Sequence, residues 1–364
     1  MRYALILAGG SGTRLWPMST KSLPKQLIPF IDGKSLLEIA YDRLESLVPA
    51  KQRYICAGDS HRAAVVDGLA GFTESQFIGE PVGRDTLSAL ALSAAAISRD
   101  DADAIIAVFT ADHIIEPVED FQRIVDQAFS IVEDSSNTLM TFGINPTHAA
   151  TGYGYLELSG EYQAGSSVVR RFKEKPDGET AAAYLAAGPE RYLWNSGMFV
   201  WKASVFLDCV RRYEPEIHAG IERISAFLGA DGAASAIAEV YPTLKKTSVD
   251  FAVMEPASSD SGVTVAALPM PLSWLDVGSW TQFAETLTAD PAGNTASGGK
   301  AHFLESKRVL AVSEDPDHLI STIGCEDLII IHTKKATLVC PKNQAEKIKA
   351  LHGEIGDEFG EDYL

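Results

Sequence analysis

The sequence predicts an α/β protein, in which a mixed but mostly parallel sheet carries helices on both faces and a small β-rich segment follows. Three observations lead there. Short apolar runs alternate with helical apolar periodicity from the N-terminus onward, the order that builds parallel sheets. Residues 104–109 are apolar without interruption, as a central strand buried on both faces must be. Around residues 291–300 the composition shifts to Gly, Ala, Ser and Asn, which reads as a linker, and short β runs dominate beyond it.

The first strand, residues 1–7, runs straight into Ala8-Gly9-Gly10-Ser11-Gly12-Thr13-Arg14-Leu15-Trp16-Pro17, and Leu23-Pro24-Lys25-Gln26 follows. Gly9, Gly10 and Gly12 lack the Cβ that would hold a polyanion off, so backbone amides can turn toward its oxygens. Arg14 adds a planar fork of donors and Lys25 a compact point charge. This is a phosphate-handling loop. Two common versions do not fit. The dinucleotide fingerprint begins at Gly10-Ser11-Gly12 but meets Leu15 where its third glycine belongs, and the P-loop ending suggested by Gly33-Lys34-Ser35 has Ile28 in place of its leading glycine.

Residues 35–47 carry a helix face at Leu36, Leu37, Ile39, Ala40, Leu44 and Leu47, and residues 53–57 form the next strand. Glu80-Pro81-Val82-Gly83-Arg84-Asp85-Thr86 leads into an alanine-rich helix over 87–99, with Thr86 as its N-cap and free amides at its start for an anion or a base edge. The strand 104–109 ends in Thr110-Ala111-Asp112-His113. An aspartate there, facing the glycine loop, either holds a divalent cation against a triphosphate or caps the strand. Residues 121–132 read as an amphipathic helix and 138–144 as a strand, after which Thr151-Gly152-Tyr153-Gly154-Tyr155 has the texture of a hairpin. Phe172-Lys173-Glu174-Lys175-Pro176 follows a β segment at 168–171 and reads by itself as a solvated edge. The helix at 179–187 stops at Gly188-Pro189.

Residues 194–201 are strand-like, and the Asn195 amide within them either reports on a ligand hydroxyl or satisfies a turn. Residues 204–240 are helical throughout, an outer layer without chemistry. Asp250, in Ser248-Val249-Asp250, is either a ligand-side carboxylate or a helix cap. Asp276, in Trp274-Leu275-Asp276-Val277-Gly278, precedes a glycine turn and a helix and is the natural second carboxylate for a cation that Asp112 begins to hold. Past the linker, β runs are expected at 308–313, 318–324, 327–332 and 336–340, with a last helix near 343–351.

The 364 residues have room for a large domain over 1–290 and a smaller one over 291–364. Apolar content of 46% and charged content of 22% are those of a globular protein with a sizeable core. A net charge of −18 repels nucleic acid and anionic membrane alike, so an anionic ligand must be held by a local cluster of cations and no nucleic-acid partner is expected. Cys56, Cys209, Cys325 and Cys340 show no C-x-x-C spacing and read as inert thiols in a reducing compartment. The N-terminal apolar run is too short for a signal peptide and no stretch approaches a membrane span, so a cytoplasmic protein is expected.

The run G-G-x-G-T-R-L-x-P from Gly9 to Pro17, closed by Pro24-Lys25, resembles the sugar-nucleotide pyrophosphorylases, nucleotidyltransferases that join a nucleoside triphosphate to a sugar 1-phosphate. Trp16 before Pro17 and Gln26 after Lys25 are similar to the mannose-1-phosphate guanylyltransferase branch. The resemblance implies a Rossmann-like fold of the nucleotide-diphospho-sugar transferase type, with a small C-terminal left-handed β-helix-like domain that often joins subunits, hence a homodimer. It implies that Leu7, Ala8, Gly9, Gly10, Gly12 and Thr13 bind the nucleotide. Glu80, Gly83, Arg84, Asp85 and Thr86 do so as well, in a stretch similar to E-P-x-G-R-N-T where Asp85 replaces the usual Asn. Tyr153, Gly154, Glu174, Lys175 and Asn195 are implied on the sugar-phosphate side, Arg14 and Lys25 in catalysis, and Mg²⁺ on Asp112 and Asp276.

The reaction implied is in-line attack of mannose 1-phosphate on the α-phosphorus of GTP, giving GDP-mannose and pyrophosphate without a covalent intermediate. The family's G-N-V-x-x-G-D lead-in to the β-helix is present only as the looser run from Gly293 to Gly299. The cupin isomerase domain of longer bifunctional relatives is not in the sequence, so transfer chemistry alone is expected. One alternative is the same chemistry on another pair, for example a uridylyl, adenylyl or heptose-phosphate transferase, which Asp85 keeps open. Another is a non-catalytic regulatory subunit of this fold, whose mark would be loss of Arg14, Lys25, Asp112 or Asp276; all four are present.

Overall fold

The computed structural model describes residues 1–10, 12–29, 31 and 33–364; Ser11 of the glycine loop, Phe30 and Asp32 lie outside the described residues. The chain gathers into two units. One comprises Met1–Gly9, Tyr41–Thr110 and Ile115–Trp274, the other Gly10–Ala40, Ala111–Ile114 and Leu275–Leu364.

The strands of the first part of the chain are β1 (Arg2–Leu7), β2 (Arg53–Gly58), β3 (Phe77–Glu80), β4 (Ile105–Thr110), β5 (His113–Glu116), β6 (Thr138–Ile144), β7 (Tyr155–Glu161), β8 (Ser167–Lys173), β9 (Tyr192–Lys202) and β10 (Thr264–Pro269). All but β5 form one sheet in the order β3-β2-β1-β4-β9-β6-β10-β8-β7. Only β8 and β9 run against the others, so the sheet is mixed and mostly parallel. Its centre is apolar for the reason the sequence suggests: β6 is buried at every position and β4 at all but its last.

The helices Asp85–Asp100, Ala203–Tyr213 and Pro215–Ser225 pack on one another and share the core with the sheet. The continuous helical stretch expected over 204–240 is therefore three helices, Ala203–Tyr213, Pro215–Ser225 and Ala233–Val240. Pro215 cannot extend the helix before it and instead opens the next. The helix expected over 35–47 ends at Asp42. Beyond it the carbonyls of Glu45 and Val48 accept hydrogen bonds from the Arg53 guanidinium at 2.9 and 2.7 Å. A third expectation also gives way. The helix expected to begin after Thr86 starts at Asp85, and the Thr86 hydroxyl is not its cap but accepts the Val249 N–H at 2.9 Å.

The remaining strands are β11 (Ser273–Asp276), β12 (Thr295–Ser297), β13 (Lys300–Leu304), β14 (Leu310–Ser313), β15 (Leu319–Ile323), β16 (Leu328–His332) and β17 (Thr337–Pro341). β11 pairs with β5. β12, β14 and β16 stack in parallel with β17 antiparallel at the edge, and β13 pairs in parallel with β15. Feeding two parallel ladders alternately from one chain makes a β-helix-like coil. The stretch 291–300, expected as a linker, holds β12 and the start of β13. Its Asn294 is buried, donating to the Ser306 carbonyl at 3.0 Å and accepting the Val309 N–H at 2.9 Å, so the polar composition closes a turn of the coil.

The second unit has its own core, where Leu15, Trp16 and Ile28 from the segment after the glycine loop pack with Trp280, Leu310 and Ile329. The Trp280 indole donates to the Trp16 carbonyl at 3.0 Å, and the Trp16 indole to the Tyr363 carbonyl at 2.7 Å. The last helix follows a 3-10 turn at Lys342–Lys347 and spans Ile348–Phe359, further along than expected.

Candidate active site

β1 and β4 are parallel neighbours with Leu7 opposite Thr110, so both strands end on the same side of the sheet; the chain enters the second unit at Gly10, three residues past the end of β1, and at Ala111, directly after β4. In that unit Gly10 and Gly12 take left-handed φ values of 96° and 59°. At Gly12 a Cβ would lie 2.7 Å from Ser19 Oγ and 2.9 Å from Lys25 Cβ, so only glycine lets the loop close over the lysine. Pro24 then leads into a 3-10 turn at Lys25–Leu27.

Lys25 is 8% exposed, and its ammonium donates to Asp112 Oδ2 at 2.5 Å and to the Val277 carbonyl at 3.4 Å. The Val277 N–H returns a bond to the Asp112 carbonyl at 3.0 Å, and β11 ends in Asp276 beside it. Ligand atoms from Asp112, His113 and Asp276 lie within 4.8 Å of one another. Burial penalises the Asp112 carboxylate, but Lys25 and His113 outweigh it and hold its pKa below the ordinary range. Burial and the Asp112 charge push Asp276 the other way. Two crowded carboxylates with an adjacent imidazole suit a divalent cation, which would relieve the repulsion that now falls on Asp276. Arg14, 45% exposed in its side chain, pairs with Glu346 at 3.3 Å.

In the first unit Glu80 is buried at the end of β3 and accepts a hydrogen bond from the Tyr241 hydroxyl at 2.5 Å. Burial raises its pKa against the opposing pull of that bond and of the Arg84 N–H. A Cβ on Gly9 would only reach ordinary contact with Glu80, and one on Gly83 would meet open space. Asp85 has φ 65°, a left-handed conformation that Asn and Asp enter more readily than other side chains, and its carboxylate accepts the Thr86 N–H at 2.8 Å. The Asp thus meets the same backbone demand as the Asn it replaces.

The Tyr153 ring lies 5.2 Å from Trp194 and 5.3 Å from Trp274. A Cβ on Gly154 would come within 2.6 Å of Glu174 Oε2, so the glycine lets the Glu174 carboxylate lie against the backbone of this turn. The Gly154 carbonyl accepts the Asn195 N–H at 2.8 Å. Glu174 pairs with Lys175 at 3.0 Å. Burial works against the Lys175 ammonium, while Glu174, then Asp250 and Asp85, together raise its pKa. Asp250 is not a helix cap: its carboxylate accepts Asn195 Nδ2–H at 2.8 Å, and burial and Glu174 push it up to about 7.

The predicted residues therefore fall into two groups. Gly10, Gly12, Thr13, Arg14, Lys25, Asp112 and Asp276 lie in the second unit; Leu7, Ala8, Gly9, Glu80, Gly83, Arg84, Asp85, Thr86, Tyr153, Gly154, Glu174, Lys175 and Asn195 lie in the first. Sequence reasoning passed over His113, Tyr241, Trp274 and Glu346. His113 follows Asp112 directly, and that adjacency was the available signal. Glu346 and Tyr241 sit in plain helical texture that carries none.

Residues 3–292 match the family model described as nucleotidyl transferase, and residues 299–354 that of the MannoseP isomerase/GMP-like beta-helix domain. The mannose-1-phosphate guanylyltransferase of Escherichia coli K12 is 34% identical over 364 residues, covering 97% of this chain and 73% of its own length. RfbM, the mannose-1-phosphate guanylyltransferase of Salmonella typhimurium LT2, is 35% identical over 354 residues, 95% of this chain and 71% of its own. A crystal structure from Thermus thermophilus, named a mannose-1-phosphate geranyltransferase, superposes with a TM-score of 0.85 at 29% identity, over 97% of this chain and 99% of the other. With a family model spanning most of its length and relatives a third identical over nearly all of it, the chain belongs to the nucleotidyl transferase family, in the branch of the mannose-1-phosphate guanylyltransferases.

Proposed function

We propose that the protein transfers GMP from GTP to α-D-mannose 1-phosphate, forming GDP-mannose and releasing pyrophosphate. The observation that carries this reading is the buried Lys25–Asp112 pair beside His113 and Asp276, behind a turn that only Gly12 can close. The nucleophile is a phosphate oxygen that already bears charge at neutral pH, so the residues need supply no general base and no covalent intermediate. What remains is repulsion between anions and the cost of aligning them.

Lys25 offsets the charge that develops at the α-phosphate. Arg14 and the amides of Gly10, Gly12 and Thr13 hold the triphosphate, exchanging the Glu346 contact of Arg14 for phosphate oxygens. Leu7, Ala8 and Gly9, with Glu80, Gly83, Arg84, Asp85 and Thr86, serve the guanosine. Tyr153, Gly154, Glu174, Lys175 and Asn195 serve the sugar phosphate, with Lys175 orienting the attacking group. Mg²⁺ is the ion we assign to Asp112 and Asp276; when bound it supplies Lewis-acid neutralisation of phosphate charge. The catalytic domain is taken as residues 1–290 and the β-helix-like domain as 291–364, in a cytoplasmic homodimer.

The test is product formation. Protein incubated with GTP, mannose 1-phosphate and Mg²⁺ should yield GDP-mannose and pyrophosphate in equal amounts by anion-exchange chromatography. Folded protein that yields none overturns the reading.

A further inference from the structure

The first unit holds a chain of hydrogen bonds of which the roles above use only Asn195. Thr141, fully buried in β6, places Oγ1 2.8 Å from Asn195 Oδ1 and 3.0 Å from the Met198 carbonyl. Asn195 in turn donates from Nδ2 to Asp250 Oδ1 at 2.8 Å. The polarity runs one way. With Asp250 ionised, a reversed amide would set Oδ1 against the carboxylate, so the oxygen turns inward and the Thr141 hydroxyl is the group that meets it.

The backbone is shaped for this arrangement. Between Thr141 and Gly143 on β6 the register with β9 shifts, Gly197 in the irregular stretch has φ 70°, and Ser196 Oγ accepts the Met198 N–H at 3.2 Å. Such bulges re-aim side chains beside binding sites. The Asn195 N–H to the Gly154 carbonyl ties the same residue to the turn that lies against Glu174.

Asn195, 7% exposed, turns its oxygen inward to Thr141 and gives one amide hydrogen to Asp250, so it keeps one amide hydrogen and one lone pair on that inward-turned oxygen. Most of the acceptor capacity of the cluster sits on the Asp250 carboxylate, which offers several lone pairs and commits one to the Asn195 N–H. We propose that Asp250 is the hydroxyl acceptor for the hexose and that Thr141 is the positioning residue that commits the Asn195 amide to it. This rests on the transfer reaction proposed above and names the residues by which that site reads its sugar.

The experiment compares Thr141→Val, Thr141→Ser and Asp250→Asn with the parent, varying mannose 1-phosphate at saturating GTP and then the reverse, with glucose 1-phosphate as the competing epimer. Thr141→Val should raise KM for mannose 1-phosphate by about tenfold while KM for GTP stays within about twofold. Thr141→Ser, which keeps the hydroxyl, should return KM to within about threefold of the parent, and Asp250→Asn should raise it at least about tenfold and erode discrimination between the epimers. An unchanged KM in Thr141→Val, or equal losses in the Val and Ser variants for both substrates, overturns the positioning role. Should the Val variant fail to fold, Asp250→Asn decides: parental KM and selectivity overturn the proposal. An inactive parent would instead sink the transfer reading, and calorimetric binding of mannose 1-phosphate to parent and Asp250→Asn then tests this inference separately, with equal affinities overturning it.

Discussion

Replacing Lys25 by methionine keeps the length and apolar stem of the side chain and removes its charge. Two losses follow, and they are read by different instruments. The first is structural: Asp112 loses a partner 2.5 Å away in a pair whose side chains are only 11% and 22% exposed. Breaking a fully buried pair costs about 3–5 kcal/mol; with that residual exposure and His113 still alongside, we expect about 1–3 kcal/mol, measured by chemical denaturation. The second is catalytic. A preorganised donor aimed at developing charge is commonly worth about a hundredfold or more, so turnover at saturating substrates, followed by pyrophosphate release, should fall at least about tenfold and by up to about a thousandfold. Lys25→Arg should recover only part of this, because the planar guanidinium must fit where Gly12 already lies against the Lys25 stem. A folded Lys25→Met protein that turns over within about threefold of the parent would refute the reasoning, whatever its stability.

Gly12→Ala should destabilise the protein by about 1–3 kcal/mol and cut turnover at least about tenfold, since it imposes a left-handed alanine and contacts under 3 Å with Ser19 and Lys25; parental thermal unfolding and rate together would contradict this. Asp276→Asn should raise the Mg²⁺ concentration for half-maximal rate by at least about tenfold, because even outer partners of metal ligands are worth that much; an unchanged titration would leave Asp276 a structural residue. Asp250→Asn should also alter the pH dependence of stability. The folded pKa of Asp250, about 7, lies above its ordinary 3.8, so its contribution is fully present below pH 4 and is lost as pH rises through 7. Relative to the parent, the Asn variant should therefore gain stability between pH 5 and pH 8, by roughly 1–2 kcal/mol for this half-buried group, and denaturation curves that stay parallel across that range would argue against it.

The parts of the protein legible in the sequence are those where local sterics or an uninterrupted pattern dictate the outcome. The glycine that closes over Lys25, the buried and mostly apolar β4 and β6, and the aspartates at the ends of short strands each announce themselves within a few residues. Asp112 and Asp276 can be paired from the amino-acid order because both sit where a strand gives way to a turn. The Thr141–Asn195–Asp250 chain has no such local mark. It exists only because β6 and β9 pair with a shifted register, which no stretch of either strand encodes alone. The Tyr241–Glu80 and Arg14–Glu346 contacts are likewise long-range, with one partner on an unremarkable helical turn. The run 291–300 misleads for a physical reason: Gly, Ser and Asn make linkers, but they also make the tight corners of a β-helix, and the buried Asn294 decides between the two.

The measurement that bears most directly on the account is pyrophosphate release with Mg²⁺ across a grid of the four nucleoside triphosphates and several sugar 1-phosphates. We predict release confined to GTP with mannose 1-phosphate, which would also establish that Asp85 is tolerated where relatives carry Asn. Preferential release with any other pair would contradict the substrate assignment while leaving the mechanism standing, and silence across the grid would contradict the assignment of Lys25, Asp112 and Asp276 to catalysis.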